Sequence, residues 1–122
     1  MALMIYSTDD GRIPSWEYYE ATGATPKVGM AMNLASGKLA IASGVTKPDF
    51  ICMREHGKAA VEGELIPVIA VTAGLVVECP CTGVAVGDTI SINSDGVTAA
   101  KGTSGAGKVI AIPAAGYARV RF

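Results

Sequence analysis

The chain has 122 residues, half of them hydrophobic and 17% charged, with 10 Lys and Arg against 11 Asp and Glu and a net charge of −1. Such a composition is too apolar for a disordered segment and suits one domain around one core. There is no basic stripe of the kind a nucleic-acid binder needs, and the longest apolar run, Leu65 to Val77, is broken by Pro67, Thr72 and Gly74 before it reaches the length of a membrane span.

Residues 1–25 read as an extended N-terminal arm ahead of a β-rich body, residues 26–122. The arm holds Tyr6, Trp16, Tyr18 and Tyr19, and one Arg against Asp9, Asp10, Glu17 and Glu20. Its first residues are too short and lack the basic start of a secretory leader, which points to synthesis in a cytoplasm. An odd number of cysteines, 3, agrees with a reducing compartment. Ser15 to Glu20, following Pro14, reads as one short helical turn capped by Ser15. The aromatics have two outcomes open to them. They fold back over their own core, or they anchor a partner or a neighbouring subunit.

From Pro26 the texture is that of strands. Met30, Met32 and Leu34 alternate with Ala31, Asn33 and Ala35, and Ser36-Gly37-Lys38 turns the chain into Leu39 to Ala42. Asp49 to Met53 is a strand, ended by a charged turn from Arg54 to Lys58. Glu64 to Thr72 follows, with Pro67 expected at an edge or bulge, then Leu75 to Cys81. A second hairpin runs from Val86 to Ala100. Lys108 to Ile112 and Ala118 to Phe122 form the last. The expectation is a mainly β fold, a small β-barrel or sandwich of about eight short strands with little helix.

Two of these hairpins share a pattern. Val28-Gly29 and Val86-Gly87 each open an alternating run that ends in a Gly turn and returns, with one inserted residue needed to align the turns. The two are a duplicated unit or convergent turn chemistry.

Candidate chemistry is thin. Gly102 to Lys108 matches G-x-x-x-x-G-K, but Val109 stands where a phosphate-binding loop needs Ser or Thr, and a strand pattern follows where it needs a helix. Cys52, His56, Cys79 and Cys81 are metal-ligand types at poor spacing for zinc, and better read as core thiols and a turn histidine. No G-x-S-x-G elbow occurs, and Cys52 with His56 has no evident activation. Asp9-Asp10, Glu62 with Glu64, and Asp88 with Asp95 read as solvated turns. The expectation is no enzyme and no cofactor or metal. Arg119 and Arg121 alternate on the last strand, opposite Val120 and Phe122. They are either a solvent-facing pair or a salt-bridging seam to a neighbouring subunit.

The chain resembles the head decoration (capsid auxiliary or cement) proteins of tailed bacteriophages, lambda-type members among them. The likeness runs from Thr25 to Phe122. It is carried by Thr25-Pro26-Lys27-Val28-Gly29, Leu34, Ser36-Gly37-Lys38-Leu39, Lys47-Pro48-Asp49-Phe50-Ile51-Cys52, Ile66-Pro67-Val68, Val86-Gly87-Asp88, Asp95-Gly96 and Arg119-Val120-Arg121-Phe122. The resemblance implies a homotrimer on the capsid surface of the virion. It would bind the major capsid protein, bridge its subunits and stabilise the expanded shell, with no nucleic acid or membrane partner. Partner contacts are expected from Tyr6, Trp16, Tyr18, Tyr19, Arg119 and Arg121, with residues 1–6 serving as an added strand. The competing reading is a small ligand-binding or adhesin-like β-module, which calls for an exposed aromatic platform on the body.

Overall fold

The computed structural model describes residues 2–8, 11–12, 14–21 and 24–122. Among them there is no helix, and eleven strands form two sheets. In chain order the strands are β1 (Met4–Ser7), β2 (Trp16–Glu20), β3 (Ala31–Ala35), β4 (Lys38–Ile41), β5 (Phe50–Cys52), β6 (Leu65–Ala70), β7 (Val76–Pro80), β8 (Thr89–Ile92), β9 (Ala99–Lys101), β10 (Gly107–Ala114) and β11 (Tyr117–Arg121). The count exceeds the expected eight or so partly because segment 1–25 supplies a strand to each sheet. The helical turn expected at Ser15 to Glu20 is strand β2, hydrogen-bonded along its length to β6. Pro67 is not at an edge, since β6 pairs with β2 and β5. It is tolerated because Met53 N–H donates to its carbonyl just past the end of β5, so the missing Pro N–H falls where that ladder stops.

One sheet runs β4-β3-β5-β6-β2 and bends until β2 meets β4. A single parallel pair, Glu20 with Lys38, closes it, so it is ring-like and not a barrel. The other runs β9-β8-β10-β11-β7-β1.

These orders are the same motif used twice. Replacing β2 to β6 by β7 to β11 converts one sheet into the other, and the registers agree residue by residue. Trp16–Ile69, Glu17–Val68, Tyr18–Pro67, Tyr19–Ile66 and Glu20–Leu65 correspond to Val76–Arg121, Val77–Val120, Glu78–Arg119, Cys79–Ala118 and Pro80–Tyr117. Loop bonds repeat as well. Gly29 N–H donates to Cys52 O and Gly87 N–H to Val109 O; Met30 N–H donates to Lys27 O and Asp88 N–H to Ala85 O. The Val-Gly hairpins are therefore the most legible part of a five-stranded repeat. Their turns differ by two residues, 36–37 against 94–97.

The repeats part at their closing edge. The counterpart of the Glu20–Lys38 pair is Pro80 with Thr98. Pro80 has no N–H to donate, and a hollow of ≈ 240 Å³ lies there, lined by Pro80, Cys81, Thr82, Asn93, Thr98, Ala99 and Gly116.

Two cores follow. Inside the ring lie Met32, Leu39, Phe50, Cys52, Ile66 and Val68. Between the sheets, Ala31, Ile51 and Ile69 from the ring's outside pack with Leu3, Val77, Cys79, Ile90, Val109 and Val120. All of β5 is buried because Phe50 and Cys52 face one core and Ile51 the other.

Candidate interaction surface

Period-two alternation on β2 turns Glu17 and Tyr19 toward the ring interior, beside Val68 and Ile66, and Trp16, Tyr18 and Glu20 the other way. Trp16 is 50% and Tyr18 54% exposed, and Leu65, opposite Glu20 on β6, is 58% exposed. The three make an apolar strip on the outside of the ring-like sheet. Tyr19 serves the core instead. Its ring lies 5.3 Å from that of Phe50, and its hydroxyl donates to Glu17 Oε1 at 2.7 Å. That hydrogen bond, with burial and the Glu17 charge, raises the phenol's pKa.

A second cluster stands on the six-stranded sheet. Tyr117, Arg119 and Arg121 alternate outward on β11, while Ala118 and Val120 enter the core. Arg119 Nε meets Glu78 Oε1 across the β7–β11 pair at 3.1 Å, and its guanidinium sits 3.9 Å from the centre of the Tyr6 ring. Stacked and paired in this way, Arg119 is held in place on the sheet. Arg121 shares that face and is exposed. Of the six expected contact residues, Tyr6 and Arg119 are thus brought together with Arg121 beside them on the strand. Trp16 and Tyr18 form a separate patch on the other sheet, and Tyr19 is turned inward. Of residues 1–6, expected to add to another protein, Met4 to Tyr6 fall in β1, which pairs with β7 of its own chain, and residue 1 lies outside the described residues.

The other candidates resolve into scaffolding. Residues 102–106 link β9 to β10 with no helix, and Lys108 is a strand residue. Gly102 N–H donates to Thr89 O and Ala106 N–H to Ile90 O, pinning this loop to β8. A Cβ on Gly105 would lie 2.4 Å from Ile90 O, so close backbone approach explains that glycine. Cys52 lies inside the ring and Cys79 and Cys81 between the sheets, all free and buried. Burial, followed by the nearby Cys81 and Glu78, pushes the Cys79 thiol up to about 12, and burial raises Cys52 and Cys81 as well. His56 and Glu62 are exposed on loops. Asp95 accepts N–H bonds from Val97 and Thr98 and bonds the Thr98 hydroxyl, closing the β8–β9 turn. Burial works against its charge, but these donors prevail and hold its pKa below the usual value. Asp88 is lowered first by the Ala85 N–H, against some desolvation, and then by Lys101. Asp9 and Asp10 lie outside the described residues. Among the described residues no cluster of His, Cys, Asp and Glu is arranged to hold a metal ion.

Sequence reading missed Arg54. It is the buried charge of the described structure, donating to Pro26 O and Lys58 O and pairing with Glu64 at 2.9 Å. It ties the loop that follows β5 to the start of the body. An apolar hollow of ≈ 190 Å³ between Leu3, Ile5, Val28 and Met53 is smaller than the usual small-molecule site of roughly 300 Å³ or more. The thiols are thus buried and the turn carboxylates committed to loops, while Trp16, Tyr18, Tyr6, Arg119 and Arg121 stand on the outer faces. No protein-family model matches the chain, and a search of curated proteins finds none similar to it.

Proposed function

We propose that the chain is a capsid decoration protein of a tailed phage. It acts as a homotrimer that binds the outer surface of the head, bridges major capsid subunits and stabilises the expanded shell. The observation that supports this reading is the placement of chemistry: free thiols inside, and Trp16, Tyr18, Tyr6 and Arg119 outside on two different sheets. Two separated patches suit a protein that touches more than one neighbour, where modest contacts repeated by symmetry add up to strong retention. Aromatic and Arg side chains are the anchors such contacts favour.

The experiment mixes the purified chain with expanded heads and with procapsids of the phage that carries its gene, then sediments them. Retention on expanded heads only, by a trimer in solution, is the expected result. A monomer that stays in the supernatant in both cases would sink the proposal.

A ligand-binding or adhesin-like β-module is the second reading. Trp16 and Tyr18, two residues apart on a sheet strand, supply the exposed aromatic platform that it calls for. Saturable quenching of Trp16 fluorescence by a glycan, lost in Trp16→Ala, would favour it over the first.

A further inference from the structure

The repeat shows what one strand edge lacks. In an antiparallel ladder, the N–H and C=O of a residue point to the same side, and successive residues point to opposite sides. The bond from Met53 N–H to Pro67 O directs the main chain of Pro67 toward β5. Ile66 and Val68 therefore face β2, and they bond Tyr19 and Glu17, their partners in the register. It follows that the main-chain groups of Trp16, Tyr18 and Glu20 point away from β6. Glu20 meets Lys38 there. Among the described residues, nothing pairs with Trp16 or Tyr18 on that side.

The same edge of the second repeat is filled. Val76 and Glu78, the counterparts of Trp16 and Tyr18, pair with Ser7 and Met4 of β1. We infer that the open edge of β2 is an acceptor site for an extended segment of another protein, added antiparallel as β1 is added to β7. The occupied edge shows the kind of strand that fits. It has one apolar residue turned to the core, Ile5, between Met4 and Tyr6, which stay largely outside. On β2 the exposed Trp16, Tyr18 and Leu65 offer contacts to alternate residues of the incoming strand.

Charge and bookkeeping of strands exclude a second copy as the occupant. Trp16-Glu17-Tyr18-Tyr19-Glu20 has two carboxylates and no cation. Two such edges together would bring two acidic strands side by side, with only the Lys38 beside each Glu20 to offset them, which is unfavourable. A β1 donated by a second copy would leave the donor's β7 bare, so no pairing would be gained. The occupant is a foreign segment, apolar at alternate positions and carrying Lys or Arg. The inference does not depend on decoration, because the edge accepts such a strand whichever protein supplies it.

The probe is a synthetic peptide with the sequence of residues 2–7 and two lysines added at each end. Trp16 is the chain's only tryptophan, so its emission reports directly on the edge. Peptide should shift it to the blue saturably at or below about 1 mM. Amide exchange at Trp16 and Tyr18 should slow by about tenfold or more, while Glu17 and Tyr19, already bonded to β6, change little. Tyr18→Pro, which removes the outward N–H together with the ring but no bond to β6, should abolish binding; Tyr18→Ala, which removes the ring alone, should only weaken it, and Tyr18→Phe should retain it. If Tyr18→Pro does not fold, the alternating exchange pattern of the unaltered protein decides. No saturable shift, equal slowing at all four amides, or binding that survives in folded Tyr18→Pro would overturn the inference. So would changed exchange at Val76 and Glu78 alone, which marks displacement of β1. A peptide-free dimer with Tyr18 already protected would show a second copy on the edge, and would also overturn it.

Discussion

The guanidinium of Arg54 gives up hydration to hold two carbonyls, Pro26 and Lys58, and the Glu64 carboxylate. Truncating it leaves those acceptors without their donor. Arg54→Ala should therefore lower the unfolding free energy by about 3 kcal/mol, discounted from a fully buried pair because Glu64 is partly exposed. Arg54→Lys should recover little, since one ammonium lacks the planar fork that reaches several acceptors at once. Urea unfolding checks both, and a loss below about 1 kcal/mol for the alanine variant would show that the loop does not need the anchor. Nothing local marked this arginine. Arg54-Glu55-His56-Gly57-Lys58 looks solvated throughout, and the partners that draw Arg54 inward lie as far away as Pro26. The cysteines were easier to read, because Cys52 lies between Ile51 and Met53 and a small thiol among apolar neighbours belongs in a core.

At the scale of elements, the repeat supplies its own control. Gly29 and Gly87 occupy equivalent turns, with φ of 81° and 97°. A Cβ on Gly87 would meet nothing within 4 Å, whereas one on Gly29 would lie 2.3 Å from Ala2 Cβ, where Leu3 N–H donates to Gly29 O. Gly87→Ala should cost about 1–2 kcal/mol from backbone conformation alone. Gly29→Ala should cost more and loosen β1, seen as faster amide exchange at Met4 and Ile5. Equal costs for the two variants, measured by thermal melting, would show that the close approach to Ala2 is readily relieved. Strands such as Ala31–Ala35 and Thr89–Ile92 were legible because alternation and Gly turns mark them. β2 was not. A five-residue segment with two Glu and three aromatics has no decisive local preference, and the ladder to β6 decides its conformation.

Across the whole molecule, the repeats are not independent bodies. The core between the sheets mixes Ala31, Ile51 and Ile69 of the first with Val77, Ile90 and Val120 of the second, and Leu3 adds to it. The outside of the ring thus fills the open face of its partner sheet. Unfolding should accordingly be one transition, with Trp16 fluorescence and far-ultraviolet circular dichroism coinciding across urea. A fragment of residues 74–122 should remain unfolded, having lost half of its core. Separate transitions, or a folded fragment, would mean that the second sheet is self-sufficient.

The sequence by itself determined a mainly β chain, most of its strands, the buried thiols and the hint of duplication, because period-two alternation, Gly turns and apolar flanks are local properties. The tertiary structure decided that the duplication spans five strands and that one copy closes on Glu20 and Lys38 while the other stays open at Pro80. It also decided that β1 fills one edge and leaves its counterpart on β2 unpaired among the described residues. These features depend on which strands meet, and pairing between residues about fifty positions apart leaves little trace in the local pattern of either.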